Sequence, residues 1–158
     1  MKQYSDLDDV DVQILDQLQT DSSISNVKLS ELVNLSPPSV HSRIKRLQQL
    51  GYITGYTALL DREKLGFEMT FFIQVSVRNH SSRDAEQFKQ QIIAMPKVLE
   101  CHHVTGEFDY MLKVVVRNKQ ELQMFLLDRL TTIDGIERVQ TSMSVMELKA
   151  THHLPIRD

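Results

Sequence analysis

The segment from Ser36 to Leu50 combines residue types that can bind DNA phosphates and base edges. It carries three cations, and residues 32–60 contain no acid. Arg and Lys side chains bond phosphate oxygens and guanine edges, while small hydroxyl residues allow the backbone to approach a nucleic acid closely. The candidate DNA-binding residues are Ser36, Ser39, His41, Ser42, Arg43, Lys45 and Arg46.

A helix over about Pro37–Leu50 would position these side chains. Ser36 is a good N-cap, prolines fit the first helical turn, and Gly51 favours termination. Apolar residues at helical spacing form one stripe, and Ser42 and Lys45 point almost directly away from it. The predicted stripe is Val40, Ile44, Leu47 and Leu50.

Two shorter helical patterns precede this segment, one from Leu7 to about Leu18 and one over Val27–Asn34. A helix, a short turn and a polar second helix are typical of a helix-turn-helix that enters the major groove. Residues 52–60 are β-prone, which predicts a two-stranded wing or a connecting strand. We therefore predict a helix-turn-helix DNA-binding domain over residues 1–60. The alternative is a three-helix packing module that does not touch nucleic acid.

The remaining chain alternates strand and helix patterns in the order β-α-β-β-α-β. The predicted strands cover about 67–78, 97–104, 109–116 and 136–148. Helices are predicted from a cap at Ser81–Ser82 to about Met95, and over 119–133. The expected fold class is α+β, with a ferredoxin-like sheet over 67–150, a linker over 61–66 and a tail over 151–158. The helix-free face of the sheet is expected to pack on another copy of the chain.

Composition excludes several classes of protein. The 158 residues have a net charge of −3, which excludes a uniformly basic, histone-like chain. One cysteine, Cys101, excludes an intramolecular disulfide framework and a cysteine-based zinc site. No apolar run approaches the ~20 residues of a membrane span, and the first residues lack a signal-peptide core, so we expect a cytoplasmic protein without membrane attachment.

Metal and cofactor sites are not expected. The adjacent His102 and His103 lie in a predicted strand, where successive side chains point to opposite faces. Cys101 beside them is read as a small buried strand residue rather than a nucleophile. No phosphate-binding loop or dinucleotide motif is present. We therefore predict no catalytic residues, no metal and no cofactor.

Two stretches resemble the Lrp/AsnC, or feast/famine, family of transcription regulators, and the resemblance covers about residues 6–150. The first stretch is Leu35-Ser36-x-x-x-Val40-x-x-Arg43-Ile44-x-Arg46-Leu47, followed by Gly51-Tyr52-Ile53-x-Gly55-Tyr56-x-Ala58. The second runs from Val98 through Thr105-Gly106-Glu107-Phe108-Asp109-Tyr110. Both occur in order and at the family's spacing.

The resemblance implies a regulator that binds double-stranded DNA and responds to an amino acid or a related small molecule. It further implies homodimers formed through the sheet domain, which assemble into octamers or other rings. The family's effector site lies beside the turn between the second and third strands, which implies effector-binding roles here for Thr105, Gly106, Glu107, Asp109 and Tyr110.

Physical chemistry agrees with that placement. Gly106 permits a positive φ, exposed N–H groups of a turn can hold a carboxylate, and Asp109 or Glu107 can accept bonds from an ammonium group. The alternative is an ordinary tight turn with a capping aspartate.

Two other functions remain open from the sequence. One is a ferredoxin-like small-molecule enzyme whose N-terminal helices only mediate assembly, since this fold hosts many functions. The other is an architectural protein that compacts DNA without an effector. Because the sequence offers no acid–base cluster beyond Glu107 and Asp109, we expect a regulator and not an enzyme.

Overall fold

A computed structural model describes residues 6–78 and 82–157 of the chain. The chain forms two compact units, and the residues up to Leu59 group with those from Lys149 onward, whereas Leu60–Leu148 form the second unit. Among the described residues, no helix has the length and apolar character needed to cross a membrane.

Three helices form the first unit: α1 (Asp9–Thr20), α2 (Asn26–Leu32) and α3 (Pro37–Gln49). Each begins at a side chain that accepts a backbone N–H, namely those of Asp8, Ser25 and Ser36. Such caps satisfy N–H groups that lack a partner within the helix. The predicted cap and prolines of α3 are thereby confirmed.

A small apolar core holds the three helices together. Its fully buried side chains are Ile14, Leu29, Val40 and Leu47. Leu50, which the periodicity placed in the α3 stripe, is instead 49% exposed, because α3 ends at Gln49 and Leu50 is its C-cap.

The turn between α2 and α3 depends on a left-handed residue. Asn34 has a φ of 53°, and asparagine tolerates this region better than most residues. Directly after it, the Leu35 N–H donates to the Ser30 carbonyl at 3.0 Å. The reversal brings α3 onto α2 as a helix-turn-helix requires.

Within the described residues, neither the predicted two-stranded wing nor the alternative connecting strand is formed. Residues 53–61 have no regular secondary structure and form no strand in the described chain. A strand needs a hydrogen-bonded neighbour, and β-prone side chains cannot replace one. The first unit is therefore a plain helix-turn-helix.

The second unit has the predicted β-α-β-β-α-β order. Its strands are β1 (Met69–Val77), β2 (Val98–His103), β3 (Tyr110–Val116) and β4 (Ile136–Met143). They form one antiparallel sheet in the order β2-β3-β1-β4. Helix α4 (Ser82–Ile93) follows β1, and α5 (Lys119–Phe125) follows β3 and continues as a π-helical turn over Leu126–Leu130.

The core of this unit lies between one face of the sheet and the helices. Alternate residues of β1 and β3 are buried together with Phe88, Ile92, Phe125 and Leu130 of the helices. Phe88 and Ile92 therefore form the inward face of α4.

Strand β4, helix α4 and the exposure of Cys101 differ from the sequence-based predictions. Strand β4 ends at Met143 rather than near Leu148, and α4 ends at Ile93 rather than Met95. Cys101 is exposed on edge strand β2, so its predicted burial is wrong. The predicted cap at Ser81–Ser82 rests on side chains outside the described part of the chain.

Candidate nucleic-acid interface and ligand cavity

The outer face of α3 presents the predicted DNA-binding residues together. All seven lie on α3 or at its N-cap, and all are exposed except Arg43, which is partly buried. Ser36 caps the helix by accepting the Ser39 N–H, and the hydroxyl groups of Ser36 and Ser39 lie 2.8 Å apart. His41 lies 3.4 Å from the Asn26 amide, measured from its Nδ1 atom. The start of α3 is therefore a small, polar and sterically open surface.

Arg43 and Arg46 are held by acids of α1. The carboxylate of Asp11 is completely buried, with Oδ1 at 2.7 Å from Arg43 Nη1 and Oδ2 at 2.8 Å from Arg46 Nη1. Arg43 Nη1 also lies 2.7 Å from Asp8 Oδ2, and Arg46 Nη2 donates to the Asp6 carbonyl at 2.6 Å. Asp11 thus connects the start of α1 to two successive turns of α3.

Two groups of this network, Asp8 and Arg43, have pKa values shifted towards their charged forms. The backbone N–H of Asp11, assisted by the Arg43 guanidinium, lowers the pKa of Asp8 below its ordinary 3.8. Asp11, and secondarily Asp8, raise the pKa of Arg43 above its already high ordinary value.

The network brings together charges that are far apart in sequence. The acids of residues 1–31 and the cations of α3 are far apart in sequence, yet Asp8 and Asp11 lie against Arg43 and Arg46. Two of the three α3 cations are partly neutralised, whereas Lys45 is exposed and has no ion pair in the described part of the chain. DNA binding by Arg43 and Arg46 remains a prediction, and only their remaining N–H donors are available for it.

A cavity of about 700 Å³ opens beside the turn between β2 and β3. Thr105 and Glu107, two of the five predicted effector-binding residues, line it. The remaining lining comes from the ends of this turn and from neighbouring strands: Gln74, His103, Val104, Phe108, Met111 and Gln140. Its size falls within the range typical of small-molecule sites.

Glu107 of the cavity lining forms an ion pair with Arg138 of β4. Glu107 Oε1 is 2.6 Å from Arg138 Nη1, and the Arg138 guanidinium stacks 4.6 Å above the centre of the Phe108 ring. Both charged side chains are about half exposed or more, so solvent or a ligand can reach them. A carboxylate and a guanidinium side by side offer an acceptor and a donor to a zwitterionic molecule.

Asp109 and Tyr110 support the turn from outside the cavity lining. The Val77 N–H donates to Asp109 Oδ2 at 2.8 Å, so this carboxylate caps the end of β1. The Tyr110 ring is buried against Phe88, with ring centres 4.4 Å apart. Gly106 has a φ of 124°, a backbone conformation that residues with a side chain rarely adopt. Effector binding by these three residues remains a prediction, and their observed contacts are structural.

Sequence reasoning missed the cavity residues contributed by other strands. Gln74, Met111 and Gln140 project from β1, β3 and β4, and cross-strand pairing aligns Gln74 with both other residues. Gln74 alternates with buried Phe71, Ile73 and Val75, and this polar position in an apolar strand was a usable signal. No group of three potential metal ligands occurs within the described ranges.

Two family models match the chain. The model described as the AsnC-type helix-turn-helix domain matches residues 7–48, and the Lrp/AsnC ligand binding domain matches residues 70–154. Together the matched ranges cover most of the chain and separate the α3 surface from the cavity.

Curated relatives and solved structures agree with these matches. The leucine-responsive regulatory protein of Escherichia coli K12 is 36% identical over 152 residues, which covers 96% of this chain and 93% of that protein. A Neisseria meningitidis transcriptional regulator solved with L-methionine has a TM-score of 0.91 and 35% identity, with coverage of 95% and 97%. An AsnC family regulator from Agrobacterium tumefaciens has a TM-score of 0.90 at 29% identity, with the same coverage.

Proposed function

The chain belongs to the Lrp/AsnC family of transcription regulators, and we propose that it binds double-stranded DNA through α3 and adjusts its DNA affinity or assembly to an amino acid. The observation that carries the DNA half is the acid-free, exposed face of α3, held on a capped helix-turn-helix. A second helix of this kind places its first turns in the major groove. The hydroxyl groups of Ser39 and Ser42 would meet the DNA first, and Lys45 would contact phosphate.

A charge-matched pair of variants tests the DNA half. Lys45→Ala removes an exposed α3 cation, whereas Lys89→Ala removes a cation from α4 in the second unit. Binding is measured by fluorescence anisotropy across salt concentrations, on a DNA fragment that the wild-type chain selects from a random library. Lys45→Ala is expected to weaken binding and to reduce the salt slope by about 0.9 for each copy of the chain that loses a phosphate contact. An unchanged slope, or the same loss in Lys89→Ala, would contradict binding through α3.

The effector half rests on the cavity beside the β2–β3 turn. An amino acid carries an ammonium and a carboxylate close together, and Glu107 and Arg138 provide an opposed pair of charges at this cavity. Val104, Phe108 and Met111 add apolar lining, which suits an apolar side chain. The Neisseria meningitidis relative solved with L-methionine supports an amino acid as the ligand class. We propose that Glu107 accepts the ammonium group while Arg138 donates to the carboxylate.

Two glutamates of the same sheet domain provide a matched ligand test. A thermal-shift screen of the twenty amino acids identifies a stabilising ligand, because occupancy of the folded state raises its stability. Calorimetry with that amino acid then compares Glu107→Gln with Glu100→Gln, which alters an exposed β2 acid outside the cavity lining. Glu107→Gln is expected to weaken binding about tenfold or more, the loss of one charge-assisted bond. Wild-type affinity in Glu107→Gln would refute this site.

Self-association is the third part of the proposal. Large apolar side chains stand exposed in the segments that flank the sheet, with Leu59 at 80%, Leu60 at 72%, and Val145 and Leu148 each at 89%. On the helix-free face, Phe72 is 39% exposed. Apolar surface of this extent favours contact with another copy of the chain. We propose a homodimer that assembles further, to an octamer or another ring, and light scattering during gel filtration measures the mass directly.

We further propose a binding role without turnover, in the cytoplasm. The enzyme alternative predicts chemical change of a bound amino acid, which proton NMR of the mixture would reveal over hours. The architectural alternative predicts DNA coverage without sequence preference and without response to an amino acid. A discrete footprint that shifts with the ligand would argue against both.

A further inference from the structure

The C-terminal residues are fastened to α1 of the helix-turn-helix unit. The side-chain amide of Gln19 forms two hydrogen bonds with the backbone of Leu154. The Leu154 N–H donates to Gln19 Oε1 at 2.7 Å, and Gln19 Nε2 donates to the Leu154 carbonyl at 3.2 Å. We call this pair of hydrogen bonds the backbone clip. This is the paired donor and acceptor pattern by which a strand binds its neighbour. The contact is to the backbone of Leu154 and not to its side chain.

A charge contact flanks this backbone clip. Asp16 lies one turn before Gln19 on α1, with Oδ1 3.4 Å from His153 Nε2 and Oδ2 3.6 Å from Arg157 Nη1. Directly after Leu154 the tail turns, since the Ile156 N–H donates to the Leu154 carbonyl at 2.9 Å. The Leu154 side chain is 65% exposed, so apolar burial of that side chain contributes little to the attachment.

The connectivity gives this attachment a consequence for the two units. Residues 60–148 form the second unit, so the first unit is joined to it by the backbone at Leu59 and again by the backbone that enters at Lys149. A free tail would leave a single connection. A fastened tail closes a second one, which restricts the positions that two linked bodies can adopt.

The second connection begins at the ligand cavity. Strand β4 carries Arg138 and Gln140, and the chain after its end at Met143 has no regular secondary structure before it reaches Leu154. We propose that residues 144–157 are a strap that restrains the DNA-binding unit. A second part of this inference rests on the proposed function: the strap transmits the effect of a bound amino acid from β4 to α1. Helix α1 in turn holds α3 through Asp11.

Substitutions at Leu154 separate the backbone clip from a side-chain effect. Leu154→Pro removes the N–H that Gln19 accepts, and Leu154→Ala keeps the N–H while it shortens a mostly exposed side chain. Gln19→Ala removes the other half of the clip. Gln17→Ala on the same helix is its control, since the backbone carbonyl of Gln17 accepts from the Asp21 N–H and this bond does not depend on the side chain.

Spin-label distances measure the restraint without any ligand or DNA. The exposed Cys101 labels the second unit, and Glu31→Cys on α2 labels the first. Labelled chains are diluted into an excess of unlabelled Cys101→Ser protein, so that each assembly holds one labelled copy. We expect Leu154→Pro and Gln19→Ala to broaden the distance distribution and to speed amide exchange of Ile156 about tenfold, as for one lost hydrogen bond.

Each outcome decides the proposal. If the distance distributions of Leu154→Pro and Gln19→Ala were as narrow as that of the wild type, the strap would be refuted. Equal broadening of the distribution by Leu154→Ala or Gln17→Ala would also refute it. Because these measurements involve no ligand, a failed response to amino acids would refute the proposed effector without altering the test of the strap.

Discussion

Asp11→Asn should destabilise the helix-turn-helix unit strongly. The substitution keeps the size of the side chain and one acceptor oxygen, but it removes a charge that two arginines share in a completely buried position. Its uncompensated partners are Arg43 and Arg46, which lie on adjacent turns of the candidate DNA-binding helix. The loss therefore falls on the contact that fixes α3 against α1.

The magnitude follows from the geometry. Hydrogen bonds to charged groups contribute about 1.5–3 kcal/mol each, and Asp11 accepts two from arginines at 2.7 and 2.8 Å. Loss of one partner of a fully buried pair costs about 3–5 kcal/mol. Here the Arg43 and Arg46 side chains are 29% and 47% exposed, so water recovers part of their hydrogen bonding. We expect a loss of about 2–3 kcal/mol in the free energy of unfolding, or about 10–20 °C in the Tm of a unit this small.

Urea unfolding followed by far-ultraviolet circular dichroism measures this loss, and amide exchange in α1 and α3 assigns it to the first unit. Asp9→Asn is the control, because Asp9 is an exposed acid in the same first turn. It should cost at most about 1 kcal/mol through the helix dipole. A loss below about 1 kcal/mol in Asp11→Asn, or equal losses in both variants, would refute the role of the buried carboxylate.

Two further predictions concern carboxylates. Because the pKa of Asp8 is lowered in the folded state, its contribution to stability is complete above pH 3.8 and is lost as the pH falls through the depressed pKa. Asp8→Asn should therefore flatten the acid limb of a curve of unfolding free energy against pH. An unchanged acid limb would contradict the pKa shift. Asp109→Ala should destabilise the sheet domain by about 1–3 kcal/mol in thermal unfolding, because it leaves the Val77 N–H without its acceptor, whereas full stability would show that the bond is dispensable.

Periodicity and capping chemistry were sufficient to predict most of the elements. The prolines after Ser36 and the alternating residues of β1 are local signals, and both led to the observed helix and strand. The wing failed because β-propensity does not supply a pairing partner for residues 53–61. The π-helical turn over Leu126–Leu130 also lacked a local signal and was predicted as ordinary helix.

The sites were less predictable because they depend on contacts distant in sequence. The α3 face was visible as a run of cations without acids, but the partners of Arg43 and Arg46 are more than thirty positions away. The β2–β3 turn was identified through the resemblance, yet in the structure Asp109 caps the end of β1, and Glu107 of the cavity lining pairs with Arg138 of β4. A charge count along the chain does not reveal which charges meet.

The central claim is that DNA affinity depends on an amino acid bound beside the β2–β3 turn. Its most direct test is the dissociation constant for the selected DNA fragment, measured with and without the amino acid that stabilises the chain, in wild type and in Glu107→Gln. The account predicts a change of about 5-fold or more in wild type, as is typical of coupled sites, and little change in Glu107→Gln. Equal dissociation constants with and without the amino acid in wild type would contradict the account.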